Sequence, residues 1–164
     1  MKLDEVVAVI TGGASGIGEA VAKYLASHGA KIIIADVVQE SIERVVKEIQ
    51  AAGGAAAGLK TDVTKDAEVA GLMDFAILKF GAINVVVPCA GIIRDAVMIN
   101  IDKETGKVKR VMETDQFRSV IEVNLIGSFI TLREAARRMV DHKWQGVLFT
   151  ISSVNKAGQV GQIN

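Results

Sequence analysis

Short apolar runs alternating with amphipathic runs predict an α/β fold built on a doubly wound parallel sheet. Three observations carry this. A glycine-rich turn, Thr11-Gly12-Gly13-Ala14-Ser15-Gly16-Ile17-Gly18, joins the first apolar run to the first helical one. Each later apolar run is separated from the next by a segment of helical length, which implies right-handed crossovers between parallel strands. Glycines stand where helices should stop: Gly29, Gly53-Gly54 and Gly81.

The elements follow in order. Residues 6–10 read as the first strand, and Ile17, Ala20, Val21, Tyr24 and Leu25 recur at helical spacing after the glycine turn, placing Tyr24 on the core stripe. Residues 31–35 form the second strand, with three isoleucines suited to burial on both faces. Ile42, Val45, Val46 and Ile49 mark the second helix, and residues 56–61 a weaker third strand. Thr64 is the expected N-cap of a third helix with Val69, Leu72, Met73, Ala76 and Phe80 inward. Residues 83–87 form the fourth strand and 146–152 the fifth. Between them one long helix starts near Thr114, with Phe117, Val120, Ile121, Leu125, Leu132, Ala136 and Met139 inward and Arg133, Arg137 and Arg138 outward. Residues 97–112 break the rhythm. Partial alternation around Asp102-Lys103-Glu104-Thr105-Gly106-Lys107 predicts an inserted β-hairpin, either a lid, an oligomer contact or a solvated insertion. The whole is read as a single dinucleotide-binding domain over residues 1–164, Rossmann-like, with strand order 3-2-1-4-5. Ligand is expected at the carboxyl ends of the strands, at the switch between strands one and four.

The totals exclude several classes. The chain has 164 residues, half of them apolar, and a formal net charge of +0. That balance argues against nucleic acid or an anionic membrane surface as the partner. Lys103, Lys107, Lys109 and Arg110 read as a solvated hairpin face. A single cysteine, Cys89, forms no internal disulfide, which fits a reducing, cytoplasmic setting. The N-terminus has the wrong shape for a signal peptide, and no apolar run approaches the ~20 residues of a membrane span. Two histidines and one cysteine, far apart, do not suggest a metal site.

The chemistry is concentrated at strand ends. Gly12, Ser15, Gly16, Ile17 and Gly18 make a turn whose backbone can approach a diphosphate at a helix N-terminus. No Gly-Lys-Ser/Thr follows, so a nucleoside-triphosphate loop is not expected. Asp36 ends strand two, where a carboxylate accepts from both ribose hydroxyls and repels a 2′-phosphate. This favours NAD over NADP. Asp62 and Val63 end strand three, near the expected adenine or simply in a helix-leading turn. Cys89, Ala90 and Gly91 end strand four, where small residues let backbone approach a cofactor. Cys89 reads better as a small buried residue than as a nucleophile. Asn124 stands among apolar positions of the long helix and needs a hydrogen-bonding role there. Ser152 and Ser153 end strand five.

Taken together, Thr11-Gly12-x3-Gly16-x-Gly18, Asp62-Val63, Ala90-Gly91, Asn124 with Gly127, and Ile151-Ser152-Ser153 resemble the ordered motifs of short-chain dehydrogenases/reductases. The likeness covers the chain except the 97–112 insertion. Within the family it resembles the 3-oxoacyl-(acyl carrier protein) reductase and 3-hydroxyacyl-CoA dehydrogenase branch, through Asn124-Leu125-Ile126-Gly127 and Gly158-Gln159-Val160-Gly161-Gln162-Ile163-Asn164. The resemblance implies an NAD(P)-dependent oxidoreductase interconverting a secondary alcohol and a ketone, with a small alcohol, ketone or acyl thioester as substrate. It also implies a homodimer or homotetramer. It makes Ser153 the serine that hydrogen-bonds the substrate oxygen and Asn124 the helix asparagine of a proton relay.

Two departures stand out. The family's Asn-Asn-Ala-Gly is Pro88-Cys89-Ala90-Gly91 here. The family's Tyr-x3-Lys acid/base segment is absent, and Tyr24 is the only tyrosine. The expectation is therefore an N-terminal portion of a longer domain, truncated relative to the family fold. The alternatives are a catalytically inactive NAD-binding module and a protein whose partner supplies Tyr and Lys.

Overall fold

The computed structural model describes residues 1–153. A turn of 3-10 helix, Leu3–Glu5, precedes β1 (Val7–Thr11), α1 (Gly16–Ser27), β2 (Lys31–Asp36), α2 (Gln39–Ala51), β3 (Ala55–Lys60), α3 (Asp66–Phe80) and β4 (Val85–Pro88). The hairpin β5 (Ile99–Ile101) and β6 (Val108–Val111) follows. Then come α4 (Thr114–Ile121), a π-helical turn over Glu122–Gly127, α5 (Ser128–Asp141) and β7 (Val147–Leu148). The main sheet runs β3-β2-β1-β4-β7, all neighbours parallel. This is the expected 3-2-1-4-5 order, with β7 as its fifth strand.

Alternation along the central strands feeds two cores. Ala8, Ile10, Ile32 and Ile34 pack with α1 and α2 residues such as Ala22, Ile42 and Val45. Val9, Ile33 and Val86 face the other way and pack with Leu72, Met73 and Ala76 of α3 and Ile130 and Ala135 of α5. Both faces being covered explains the unbroken apolar run in β2. The ladder also fixes where the strands end. Thr11 pairs with Ala35 and with Pro88, so the turns after β1, β2 and β4 leave the sheet side by side.

The hairpin lies where the sequence places it. Its turn is closed by Asp102, whose Oδ1 accepts from the Glu104 and Thr105 amides, and by Gly106 at φ +66°. Every residue of both its strands is exposed.

Several local expectations fail for identifiable reasons. Tyr24 is 60% exposed and stands against the His28 ring, off the core stripe. Thr64 does not cap α3. Its amide and hydroxyl both donate to Asp62 Oδ1, and Lys65 takes the cap position. The long helix is interrupted by the π turn, whose extra residue rotates the stripe. Leu125 becomes exposed, while Glu134 and Arg138 turn inward and are buried. Arg138 binds Asp74 and the Ala70 carbonyl of α3 along with Glu134, so it is an internal tie between helices, not an outward residue. The fifth strand is two residues long, with one further bond from the Phe149 amide to Val86. Among the described residues no helix is long and apolar enough to cross a membrane.

Candidate functional site

The side-by-side ends of β1, β2 and β4 open into a cleft of about 840 Å³. Its wall includes Gly12 and residues 15–18 from the glycine turn, Asp36 from β2, Asp62 and Val63 from beyond β3, and residues 89–91 from beyond β4. Thus Gly12, Ser15, Gly16, Ile17, Gly18, Asp36, Asp62, Val63, Cys89, Ala90 and Gly91, separated by up to half the chain, meet at one place.

The turn is glycine for steric reasons. A Cβ on Gly12 would lie 2.6 Å from the Ala90 amide nitrogen, and one on Gly18 would strike the Gly12 carbonyl. Both positions let backbone pass against backbone. Gly16 differs. Its φ is +52°, and a Cβ there would meet nothing within 4 Å. Space is open beside the start of α1, where first-turn amides have no intrahelical acceptor. Ser15, the N-cap residue, makes no capping bond with its side chain. Open space, free amides and a helix N-terminus together suit a diphosphate.

Asp36 is held in place by backbone. Its Oδ1 accepts from the Val37 amide at 2.8 Å and Val38 at 3.3 Å, and its Oδ2 from Ala14 at 3.3 Å. A carboxylate so fixed at the cleft wall can receive hydroxyl donors. Asp62 does double duty. Burial raises the pKa of its carboxyl, but the Thr64 amide and hydroxyl outweigh that and lower it overall. It therefore closes the turn into α3 while lining the cleft. Burial pushes the Cys89 thiol up, so it stays protonated and poorly nucleophilic.

Asn124 and Ser153 stand apart from the lining residues. The Asn124 carboxamide accepts from the Ile92 amide at 2.8 Å and donates to the Ile92 carbonyl at 3.0 Å. It clamps the segment that leaves β4, while its own residue is exposed. Gly127 explains the rest of that motif. A Cβ there would lie 2.6 Å from Val63 Cγ2, so glycine lets this helix close on the cleft wall. Ser153 is exposed at the end of the described residues, and residues 158–164, which carry part of the family resemblance, lie outside them.

Sequence reasoning missed Ile92, Ile93 and Arg94, and Ser119, Glu122 and Val123. The first three directly follow Gly91. The others recur at helical spacing beside Asn124, a signal available in the sequence. Among the described residues no group of His, Cys, Asp and Glu is placed to hold a metal ion.

A sequence model described as short chain dehydrogenase matches residues 6–164. The chain belongs to the short chain dehydrogenase family. The chain is 40% identical over 162 residues to 3-hydroxyacyl-CoA dehydrogenase type-2 of Rattus norvegicus, covering 95% of this chain and 59% of that protein. It is 36% identical over 154 residues to short chain aldehyde dehydrogenase 1 of Euphorbia lathyris, covering 93% of this chain and 49% of that one. Among solved structures, 7α-hydroxysteroid dehydrogenase complexed with NADH and 7-oxo glycochenodeoxycholic acid superposes with a TM-score of 0.84. The identity is 30%, over 98% of this chain and 58% of that one. The chain spans about half the length of the curated relatives it matches.

Proposed function

We propose that the protein is an oxidoreductase that binds NAD in preference to NADP and interconverts a secondary alcohol and a ketone. The observation that carries this is the convergence of the glycine turn and Asp36 on one cleft. The residues that would hold the cofactor are those of the turn for its diphosphate, Asp36 for the adenosine ribose, and Asp62, Val63 and residues 89–91 along its length. When bound, a nicotinamide dinucleotide supplies or accepts a hydride, which must be matched by a proton. Ser153 is assigned the hydrogen bond to the substrate oxygen. Asn124 would serve the proton relay by fixing the segment after β4, since its carboxamide is committed to Ile92.

The likeness to a 3-hydroxyacyl-CoA dehydrogenase supports 3-oxoacyl and 3-hydroxyacyl thioesters as the substrate class. We place the protein in the cytoplasm as a homodimer or homotetramer; the lone free cysteine supports the reducing setting. A second reading is a non-catalytic dinucleotide-binding module, in which the same cleft holds the cofactor without turning it over.

The test is a titration of the intact protein with NADH and NADPH, followed by NADH oxidation with an acetoacetyl thioester. Tighter NADH binding and thioester-dependent turnover are expected. Binding without turnover on any ketone favours the module, and absence of dinucleotide binding overturns both readings.

A further inference from the structure

The cleft residues do not explain how the glycine turn is kept in shape. Its middle residue, Ala14, is 1% exposed, so both its backbone polar groups need partners inside the protein. The amide donates to Asp36. The carbonyl accepts from Arg44 Nη2 of α2 at 3.1 Å. Arg44 is itself aimed by a fork. Its Nη2 meets Glu19 Oε2 at 2.8 Å and its Nη1 meets Glu19 Oε1 at 3.0 Å, with Glu48 Oε1 3.1 Å from Nη1. Glu19 lies in the first turn of α1, just after the glycine turn. The two-point fork suits a planar guanidinium and leaves an N–H of Nη2 directed at Ala14.

We propose that Arg44 is a positioning residue for the cofactor: by holding the Ala14 carbonyl it fixes the turn whose next amides face the diphosphate. This rests on the dinucleotide reading above. Arg44 acts through geometry more than through charge. Its cation and that of Lys23 are balanced by Glu19 and Glu48, with Lys23 Nζ 2.6 Å from each carboxylate. Lysine cannot replace it, because a single ammonium does not fork Glu19 and still present a fixed N–H to Ala14.

The intact protein and its Arg44→Met, Arg44→Lys and Glu19→Gln variants are titrated with NADH, ADP-ribose and adenosine, well below each variant's unfolding midpoint. A charge-assisted hydrogen bond lost from the turn should weaken NADH and ADP-ribose about tenfold or more in Arg44→Met. Adenosine, which lacks the diphosphate, should change much less. Arg44→Lys should resemble Arg44→Met, and Glu19→Gln, which keeps the guanidinium but loosens its aim, should fall between. If the variants lose thermal stability yet bind NADH as the parent does, Arg44 is only a brace between α1 and α2 and the proposal fails. Equal weakening of all three ligands also overturns it. A parent that binds no dinucleotide marks failure of the underlying reading instead. Should Arg44→Met not fold, Arg44→Lys and Glu19→Gln decide the question by the same ratios.

Discussion

Asn124 spends both ends of its carboxamide on the backbone of a single residue, Ile92, across thirty-two positions of sequence. It does so from inside the π-helical turn at Glu122–Gly127, a helical irregularity of the kind that collects at functional sites. Ile92 lines the cleft, so the pair ties the helix to the cleft wall. Replacing Asn124 by Leu removes both bonds. Because the pair is exposed and water competes, the expected loss of unfolding free energy is only about 1 kcal/mol. Dinucleotide affinity should fall as the wall loosens. Urea titration and NADH binding check both; unchanged affinity would sever Asn124 from the site.

The glycines separate by what surrounds them. Gly12→Ala drives a methyl into the Ala90 backbone, which cannot move without displacing β4's end. Loss of dinucleotide binding and of stability is expected. Gly71, exposed on α3 with nothing within 4 Å of its would-be Cβ, should behave oppositely. Gly71→Ala should raise stability by about 0.5–1 kcal/mol through helix propensity, with binding unchanged. A thermal melt of each variant with and without NADH distinguishes them.

Much of this architecture is written in the sequence itself. The runs that became β1, β2 and β4, and the strand order, were legible because burial on both sheet faces forces nearly continuous apolar residues between glycine stops. The glycine and alanine positions that line the cleft were legible because close backbone approach selects small residues at fixed places. Arg138 was not. Its burial depends on the π turn, which shifts the later helical face, and on acceptors from α3 more than sixty residues earlier. Thr64 was misread because the competing acceptor, Asp62, stands only two residues before it. Arg44 was invisible for the same reason as Arg138, since its acceptor is a distant backbone carbonyl.

Asp36 should govern cofactor choice. Its carboxylate would repel a 2′-phosphate and accept ribose hydroxyls, so Asp36→Ser should weaken NAD binding and relax the preference toward NADP. The substitution also removes the acceptor of the Ala14 amide, so NAD affinity should drop more than NADP affinity rises. Paired titrations with NADH and NADPH measure the ratio. A ratio that does not move would place the discrimination elsewhere.

Arg138 and Glu134 form an internal pair, 7% and 11% exposed, that also reaches Asp74 and the Ala70 carbonyl. Arg138→Met would leave that carbonyl and part of the Glu134 charge uncompensated. Arg133 and Arg137 still face Glu134, which moderates the loss. A cost of about 3 kcal/mol is expected, the low end for breaking a buried pair. NADH affinity, measured where the variant is folded, should be unaffected, because the tie lies between α3 and α5.

Acid should release the Arg44 network in a defined window. The Arg44 guanidinium, then the Lys23 ammonium, hold the Glu19 carboxyl at about 2, against an ordinary value of 4.5. A depressed carboxylate pKa means the unfolded chain binds the proton first. Glu19 ionisation therefore adds stability that is fully present above about pH 4.5 and vanishes as pH falls toward about 2. Glu134 and Asp62 are shifted in the same direction, so the parent's acid sensitivity has several sources. Glu19→Gln isolates one of them. The difference in unfolding free energy between parent and variant should be flat from about pH 7 to about pH 5 and then shrink toward zero near pH 2. A difference independent of pH across that range would mean that Glu19 contributes through packing alone.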